Sequence, residues 1–353
     1  MNLVPDDDLL LIADTARRFG KDVLLPRMRS AEADRKLDAE TRRAFAEIGL
    51  ADLERPEEVG GAGLGCVARV LVNEELGAAD AGAALALDGF GPALYPMLEM
   101  GGDLSLLAEA PGRTLLVTEF DGEFQVDGAK ISGMVPWVPA SEAEAVLVLI
   151  KDEAILLRDG WTLESIRGAG LRAAGAGVLR IDDAQPVARL AEASGASRAR
   201  ARARLYVASL LLGVLRASCD YSREYAMERR AFGKPIAHHQ ALAFLITDMQ
   251  MALDGARLLV HEAAWRLDAG LPAESAAASA FAECIDASRL IGPNGVQILG
   301  GHGFMADYPV EKHMREARAL GLLFGGFDAA IEESGRLLVT RDAPLAIGIG
   351  GAL

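Results

Sequence analysis

The chain has 353 residues, a formal net charge of −15 and a composition that is 51% hydrophobic but only 5% aromatic. That length leaves room for two or three compact units, and apolar content dominated by Ala and Leu favours helices packed on helices. An acidic surface repels nucleic-acid phosphate and anionic lipid, and no apolar run reaches the ~20 residues a bilayer span requires, so nucleic-acid binding and membrane insertion are set aside.

Cys66, Cys219 and Cys284 are widely spaced and odd in number, as free thiols in a reducing compartment would be. The N-terminal stretch is acidic before it turns apolar and shows no basic segment leading to a cleavage site. A cytoplasmic protein is expected.

Along the chain, Leu9–Val23 repeats apolar residues at helical spacing behind Asp6, Asp7 and Asp8, which are placed to cap a first helix. A second helix over Ala39–Ile48 stops at Gly49, and a third helical run covers Val67–Leu76. Between them Gly60, Gly61, Gly63 and Gly65 form a turn rather than a dinucleotide loop, because no strand precedes them and no acidic residue follows at the required distance. From Arg113 to about Val187 the texture changes to short apolar runs, TLLVTEF, EFQVDGAKIS, AEAVLVLI, AILLRDGWTL and GVLRIDD. Gly112, Asp121-Gly122, Asp127-Gly128 and Asp159-Gly160 fall between them, where hairpins need positive φ, so a small antiparallel sheet or barrel is expected. From Ser197 the pattern returns to long helices, roughly 200–229, 238–268, 272–301 and 309–337, which read as a four-helix bundle before a flexible end at Gly348–Gly351. The expected architecture is mainly α with a central β module: an N-terminal helical domain over 1–111, a β domain over 112–192 and the bundle over 193–345.

Three motifs add a family signal. One runs Gln297-Ile298-Leu299-Gly300-Gly301-His302-Gly303-Phe304, continues through Asp307-Tyr308-Pro309-Val310-Glu311-Lys312 and ends in Met314-Arg315-Glu316-Ala317-Arg318. Another is Arg229-Arg230-Ala231-Phe232-Gly233-Lys234-Pro235-Ile236 followed by His239-Gln240, and the third is the loop RPEEVGGAGLG. With the α–β–α order, they make the chain resemble the acyl-CoA dehydrogenases from about residue 6 to 340. In that family FAD lies across a dimer interface, its ring on one subunit's β module and its pyrophosphate and adenosine on the neighbour's bundle. The resemblance implies that Arg229, Phe232, Gln240, Gln297, Gly300 and Gly301 form the adenosine-side half of such a site. An arginine fork and close glycine backbone suit a pyrophosphate.

The flavin-side half departs from the family. Its Thr-Glu-Pro becomes Thr118-Glu119-Phe120, the Gly-Ser-Asp loop is missing, and the Lys-x-Trp-Ile-Thr strand reads Lys130-Ile131-Ser132-Gly133; Trp137 nearby is assigned a core or edge role. Dehydrogenation also needs a buried carboxylate to take the proton α to the thioester. Counting nine residues on from Arg315 puts Phe324 at the usual glutamate position, and the alternative, isovaleryl-type position falls on Ala203, with Ala201 where an aspartate is usual. Arg204 matches a family arginine and is assigned to the substrate side, whereas the other arginines of SRARARARL read as a solvated helix face. Asp328, Glu332 and Glu228 read as surface or interface charges, and His238, His239, His302 and His313 offer no i, i+4 pair, so no metal site is expected.

These losses on one side and retention on the other imply a subunit of an FAD-dependent acyl-CoA dehydrogenase that lacks the base and lends its half-site to a homologous catalytic partner. The family includes such unequal pairs, often assembled as α2β2 tetramers that act on CoA thioesters of bulky acids such as steroid side chains, and an electron acceptor is implied. Three alternatives stay open: a self-contained dehydrogenase with another base, a flavin monooxygenase of the same fold, and a structural partner that binds no flavin.

Overall fold

The computed structural model describes residues 5–108 and 112–339; the Gly348–Gly351 tail and the last residues of the 193–345 segment lie outside them. Helix α1 (Asp7–Phe19) is capped by Asp6, whose carboxylate accepts from Leu9 N at 2.9 Å. It does not end near Val23. A wide π turn over Gly20–Leu24 leads directly into α2 (Leu25–Asp34), and Pro26, which has no N–H to donate, sits in the first turn of the new helix. After α3 (Ala39–Glu47) the chain turns at Gly49, φ +69, and the glycine loop joins helices as expected, with Gly60 and Gly63 at positive φ. The next helix, α4 (Cys66–Leu87), runs well past Leu76 by restarting at Asp80 (φ −164°, ψ 104°), whose carboxylate accepts from Ala83 N. Two short helices, α5 (Leu94–Glu99) and α6 (Ser105–Ala108), complete this part.

The β module is two stacked four-stranded sheets. In one, β1 (Thr114–Thr118), β4 (Ala145–Ile150), β5 (Glu153–Leu157) and β8 (Ala188–Ala191) lie in that order; in the other, β2 (Glu123–Asp127), β3 (Lys130–Val138), β7 (Gly177–Ala184) and β6 (Trp161–Ser165) do. Pairing is antiparallel save for β1 with β4, which run parallel because the chain leaves the first sheet at Asp121 to enter the other. The Asp121-Gly122 turn therefore closes no hairpin, and neither Gly112 nor Gly122 has positive φ. Gly128 (φ +58) and Gly160 (φ +73) serve their turns as expected, while between β4 and β5 it is Lys151 (φ +50) that turns left-handed. Alternating residues such as Val117, Val135, Val148 and Leu179 fill the space between the sheets.

The spine of the molecule is α7 (Ala193–Glu228), which packs against α4, α8 (Gln240–Asp268) and α9 (Glu274–Leu299). The apolar run Leu205–Leu215 is buried here. α7 and α4 approach closely at Gly77 and Gly213; a Cβ on Gly213 would lie 2.2 Å from Glu74 O. The fourth bundle helix expected over 309–337 is two helices, α10 (Val310–Leu320) and α11 (Gly326–Val339). Phe324, Gly325 and Gly326 all take positive φ between them, which no continuous helix permits. Among the described residues no helix is long and apolar enough to cross a membrane.

Candidate active site

Where the three parts of the chain meet there is a cavity of about 230 Å3. β1 contributes Leu115 and Val117, the end of α4 contributes Leu85, α7 contributes Val207, and the break before α11 contributes Phe324. The wall is mostly apolar. Trp137, expected to play a core or edge part, lines this cavity from β3.

Four polar residues interrupt the apolar lining. Asp88 accepts from Tyr206 Oη at 3.0 Å and from Gly91 N at 2.7 Å, and it stands 3.4 Å from the Arg69 guanidinium. Burial, with the Asp88 carboxylate close by, pushes the Tyr206 hydroxyl well above its usual range. Asp121 accepts from Thr118 N and Thr118 Oγ1 through one oxygen and from Phe324 N through the other, each at 2.8 Å. Burial still raises its carboxyl above the ordinary aspartate range, against the pull of those hydrogen bonds. Arg113 donates to Pro139 O at 2.7 Å, and burial lowers its guanidinium to about 10. Thr114 Oγ1 is buried with no hydrogen-bond partner among the described residues.

Phe324 and Ala203, which the resemblance sets at the two base positions, are both buried. Phe324 sits in the cavity wall with its backbone at φ +53, a costly conformation for a bulky residue, and Asp121 holds it there through the 2.8 Å hydrogen bond to its N–H. Ala203 lies on α7. Its neighbour Arg204 is fully buried and paired with Glu333 of α11, and its guanidinium lies 6.0 Å from the Phe120 ring centroid. Nothing in the sequence pattern marks Glu333; Asp328 and Glu332, read from the sequence as surface or interface charges, lie on the same helix and are exposed. The remaining arginines of SRARARARL are not a solvated face. Arg198 and Arg202 bind Glu99 at 2.9 and 2.7 Å, Arg202 also binds Glu54 at 2.7 Å, and Arg200 reaches Glu119, because here α7 runs beneath α5 and the edge of the β module.

The residues expected on the adenosine side lie elsewhere, at the far end of α7. Arg229 is its C-cap, and its exposed side chain makes no hydrogen bond or ion pair among the described residues. A two-stranded ribbon, Arg230–Ala231 with Lys234–Pro235, follows and thrusts Phe232 outward at φ +52 and 95% exposure. Phe232 meets His239 edge-on at 6.0 Å, next to Gln240 at the start of α8. Tyr225, one turn before Arg229, bonds His302 Nδ1 at 2.9 Å, and His302 stacks on Tyr308 at 4.9 Å, which fixes the Gly300–Gly303 turn against α7. Gln297 is exposed on the last turn of α9. A Cβ placed on Gly300, at φ +57, or on Gly301 would meet nothing within 4 Å, so their backbone is open to a close approach. Exposed glycine backbone, together with an arginine that has no partner among the described residues, is of the kind that suits a pyrophosphate. The sequence holds no Gly-Ser-Asp segment, and at the cavity Asp121 is engaged by the chain itself.

Comparison with known proteins identifies the family. Residues 6–103 match the acyl-CoA dehydrogenase N-terminal domain, and residues 196–333 match the acyl-CoA dehydrogenase C-terminal domain. The short-chain specific acyl-CoA dehydrogenase of Bos taurus mitochondria is 28% identical over 350 residues, covering 87% of this chain and 84% of the relative. Among solved structures, butyryl-CoA dehydrogenase from Megasphaera elsdenii superimposes with a TM-score of 0.84 at 24% identity, over 96% of this chain and all of that one. A glutaryl-CoA dehydrogenase from Mycobacterium smegmatis in complex with FADH2 gives 0.82 at 22% identity, over 96% of each chain. With both domains matched and the fold shared along nearly its whole length, the chain belongs to the acyl-CoA dehydrogenase family, whose cofactor is FAD.

Proposed function

We propose that this chain is the non-catalytic subunit of a heteromeric acyl-CoA dehydrogenase, which introduces an α,β double bond into a CoA thioester. Arg229, Phe232, Gln240, Gln297, Gly300 and Gly301 would hold the adenosine and pyrophosphate of an FAD whose ring lies in a homologous catalytic subunit, within a cytoplasmic α2β2 assembly. When bound, FAD supplies the hydride acceptor. This chain's part is to bind and orient: Arg229 meets the phosphate charge, and Gly300 and Gly301 admit close backbone contact. The substrate class is the CoA thioester of a bulky acid such as a steroid side chain, and the electrons pass on to an acceptor.

The observation that carries the reading is that Phe324 and Ala203 stand buried at the two base positions, while the carboxylates that do line the cavity, Asp88 and Asp121, are held by hydrogen bonds from the chain's own groups. A second reading, a self-contained dehydrogenase, is favoured by Asp121 alone. Its carboxyl lines the cavity beside Phe324 and is raised by burial, as a proton acceptor's would be.

The deciding experiment is the visible spectrum and subunit composition of the protein purified alone and after co-expression with an intact homologue from its own source. Flavin absorbance only in the complex, near one flavin per pair and with activity on acyl-CoA, is the expected result. Stoichiometric flavin and activity on the lone chain would overturn it in favour of the second reading. If Arg229→Ala left the complex's flavin content unchanged, the chain would be a structural partner only.

A further inference from the structure

The motif that carries Gly300 and Gly301 also carries His302, which the function proposed above leaves unused. The glycine turn has nothing of its own to rest on. Gly300 takes φ +57, a Cβ on either glycine would meet nothing within 4 Å, and Phe304, Met305, Ala306 and Asp307 beyond them are exposed. The backbone bonds here are local: Gly303 N donates to Gly300 O at 2.9 Å and Met305 N to His302 O at 3.1 Å. Consecutive glycines have the widest choice of backbone conformation, and a turn that its ligand must first put in order binds more weakly than one already in place.

Anchors just beyond the glycines supply that order. Gly303 is buried against α9, so close that a Cβ there would lie 2.2 Å from Val296 O. His302 is half-buried, stacked on Tyr308 with the planes 6° apart and hydrogen-bonded through Nδ1 to Tyr225 Oη at 2.9 Å. The Tyr225 ring stands nearly perpendicular to both, 6.0 Å from the His302 centroid and 6.3 Å from that of Tyr308, an edge-on packing that aromatic rings favour. Tyr308 O in turn accepts from Arg29 Nη2 of α2 at 2.9 Å, and Arg29 is held by Glu32 and Glu311 at 2.7 Å each. Tyr225 has a double part. Its carbonyl accepts from Arg229 N at 2.8 Å, closing α7, while its hydroxyl reaches the turn. One side chain thus ties Arg229 to the glycines that the sequence places far from it.

We infer that Tyr225 and His302 are positioning residues, whose hydrogen bond sets the Gly300-Gly301 turn against Arg229 and so presets the grip on the adenosine and pyrophosphate of FAD. They act through Arg229 and the glycine turn. The inference rests on the half-site reading above and adds to it the two side chains that keep the half-site in shape before the cofactor arrives.

The test is equilibrium titration of the flavin-stripped complex, this chain with its homologous partner, using three ligands. FAD offers every part, ADP offers adenosine and pyrophosphate without the ring, and riboflavin offers the ring without either. Tyr225→Phe and His302→Phe each remove one end of the hydrogen bond and keep an aromatic ring in place. Each should weaken FAD and ADP by the same factor, about fivefold, and leave riboflavin unchanged. The double variant should bind no more weakly than either single one, because the bond is already lost. A general loss of structure would weaken riboflavin along with the other two, and that result would overturn the inference, as would losses that add in the double variant. Wild-type affinity for FAD and ADP in both single variants, with Arg229→Ala still stripping flavin, would overturn it and leave the half-site reading standing. Flavin retained in all three single variants would remove both.

Discussion

The surface at the end of α7, proposed to hold adenosine and pyrophosphate, and the cavity around Phe324 treat their polar groups in opposite ways. At the surface, Arg229, Gln240 and Gln297 are exposed without partners among the described residues, and Gly300 and Gly301 leave open space. In the interior, Asp121 caps Thr118 and the Phe324 N–H, and Arg204 is closed by Glu333. A group reserved for a ligand adds little to the fold, whereas a group consumed by the fold is costly to remove and poorly available for chemistry. Substitutions in the two regions should therefore separate into effects on stability and effects on binding.

The largest effect is expected from Glu333→Ala, which leaves the buried Arg204 charge unpaired; chemical denaturation should show a loss of about 3–5 kcal/mol. A value near zero would mean that Arg204 has another counter-charge and that the interior is not closed in this way. Asp121→Ala strands the Thr118 and Phe324 donors and should cost about 1–3 kcal/mol. Asp121→Asn sharpens the point: full stability with abolished dehydrogenation by the lone chain would make Asp121 a proton acceptor rather than a cap.

Acidification gives a third measurement. Burial beside Lys312 and Arg29 lowers His313 from 6.5 to about 3, so the unfolded chain takes up a proton that the folded chain refuses. Its contribution is complete above 6.5 and is lost as pH falls toward 3. Between about pH 7 and pH 5 it should account for roughly 2 kcal/mol of lost stability, which His313→Gln should abolish in matched denaturation curves. The smallest stability change, within about 0.5 kcal/mol, is expected for Arg229→Ala, although the same variant should strip flavin from the complex. A large stability loss there would erase the contrast between the two regions.

Much of this organisation is legible in the sequence because it rests on local signals. The 3.6-residue periodicity, the Asp6 cap, Gly49 and the Asp-Gly turns at Gly128 and Gly160 each act within a few residues. What escapes is set by distant packing. The arginines of SRARARARL look solvated until α5 and the β-module edge bring Glu99 and Glu119 over them. Asp121 reads as half of a hairpin turn, and only the crossing of the chain from β1 into the other sheet places it beside Phe324, some 200 residues away. The break before α11 has a signal in Gly325-Gly326, but it is submerged in the apolar periodicity on either side. For the surface residues the family motif is the only pointer, since an exposed arginine or glutamine has no pattern of its own.

The length of α7 sets a spacing rule. Val207 lines the cavity and Arg229 ends the helix, so 22 steps of 1.5 Å put about 33 Å between a chain's interior cavity and the surface proposed to grip the nucleotide. That separation exceeds the reach of an extended dinucleotide. On the proposed reading a solitary copy thus carries ends of two different sites rather than the two halves of one, and flavin held at the end of α7 becomes a function of subunit concentration, diluting away as the assembly dissociates.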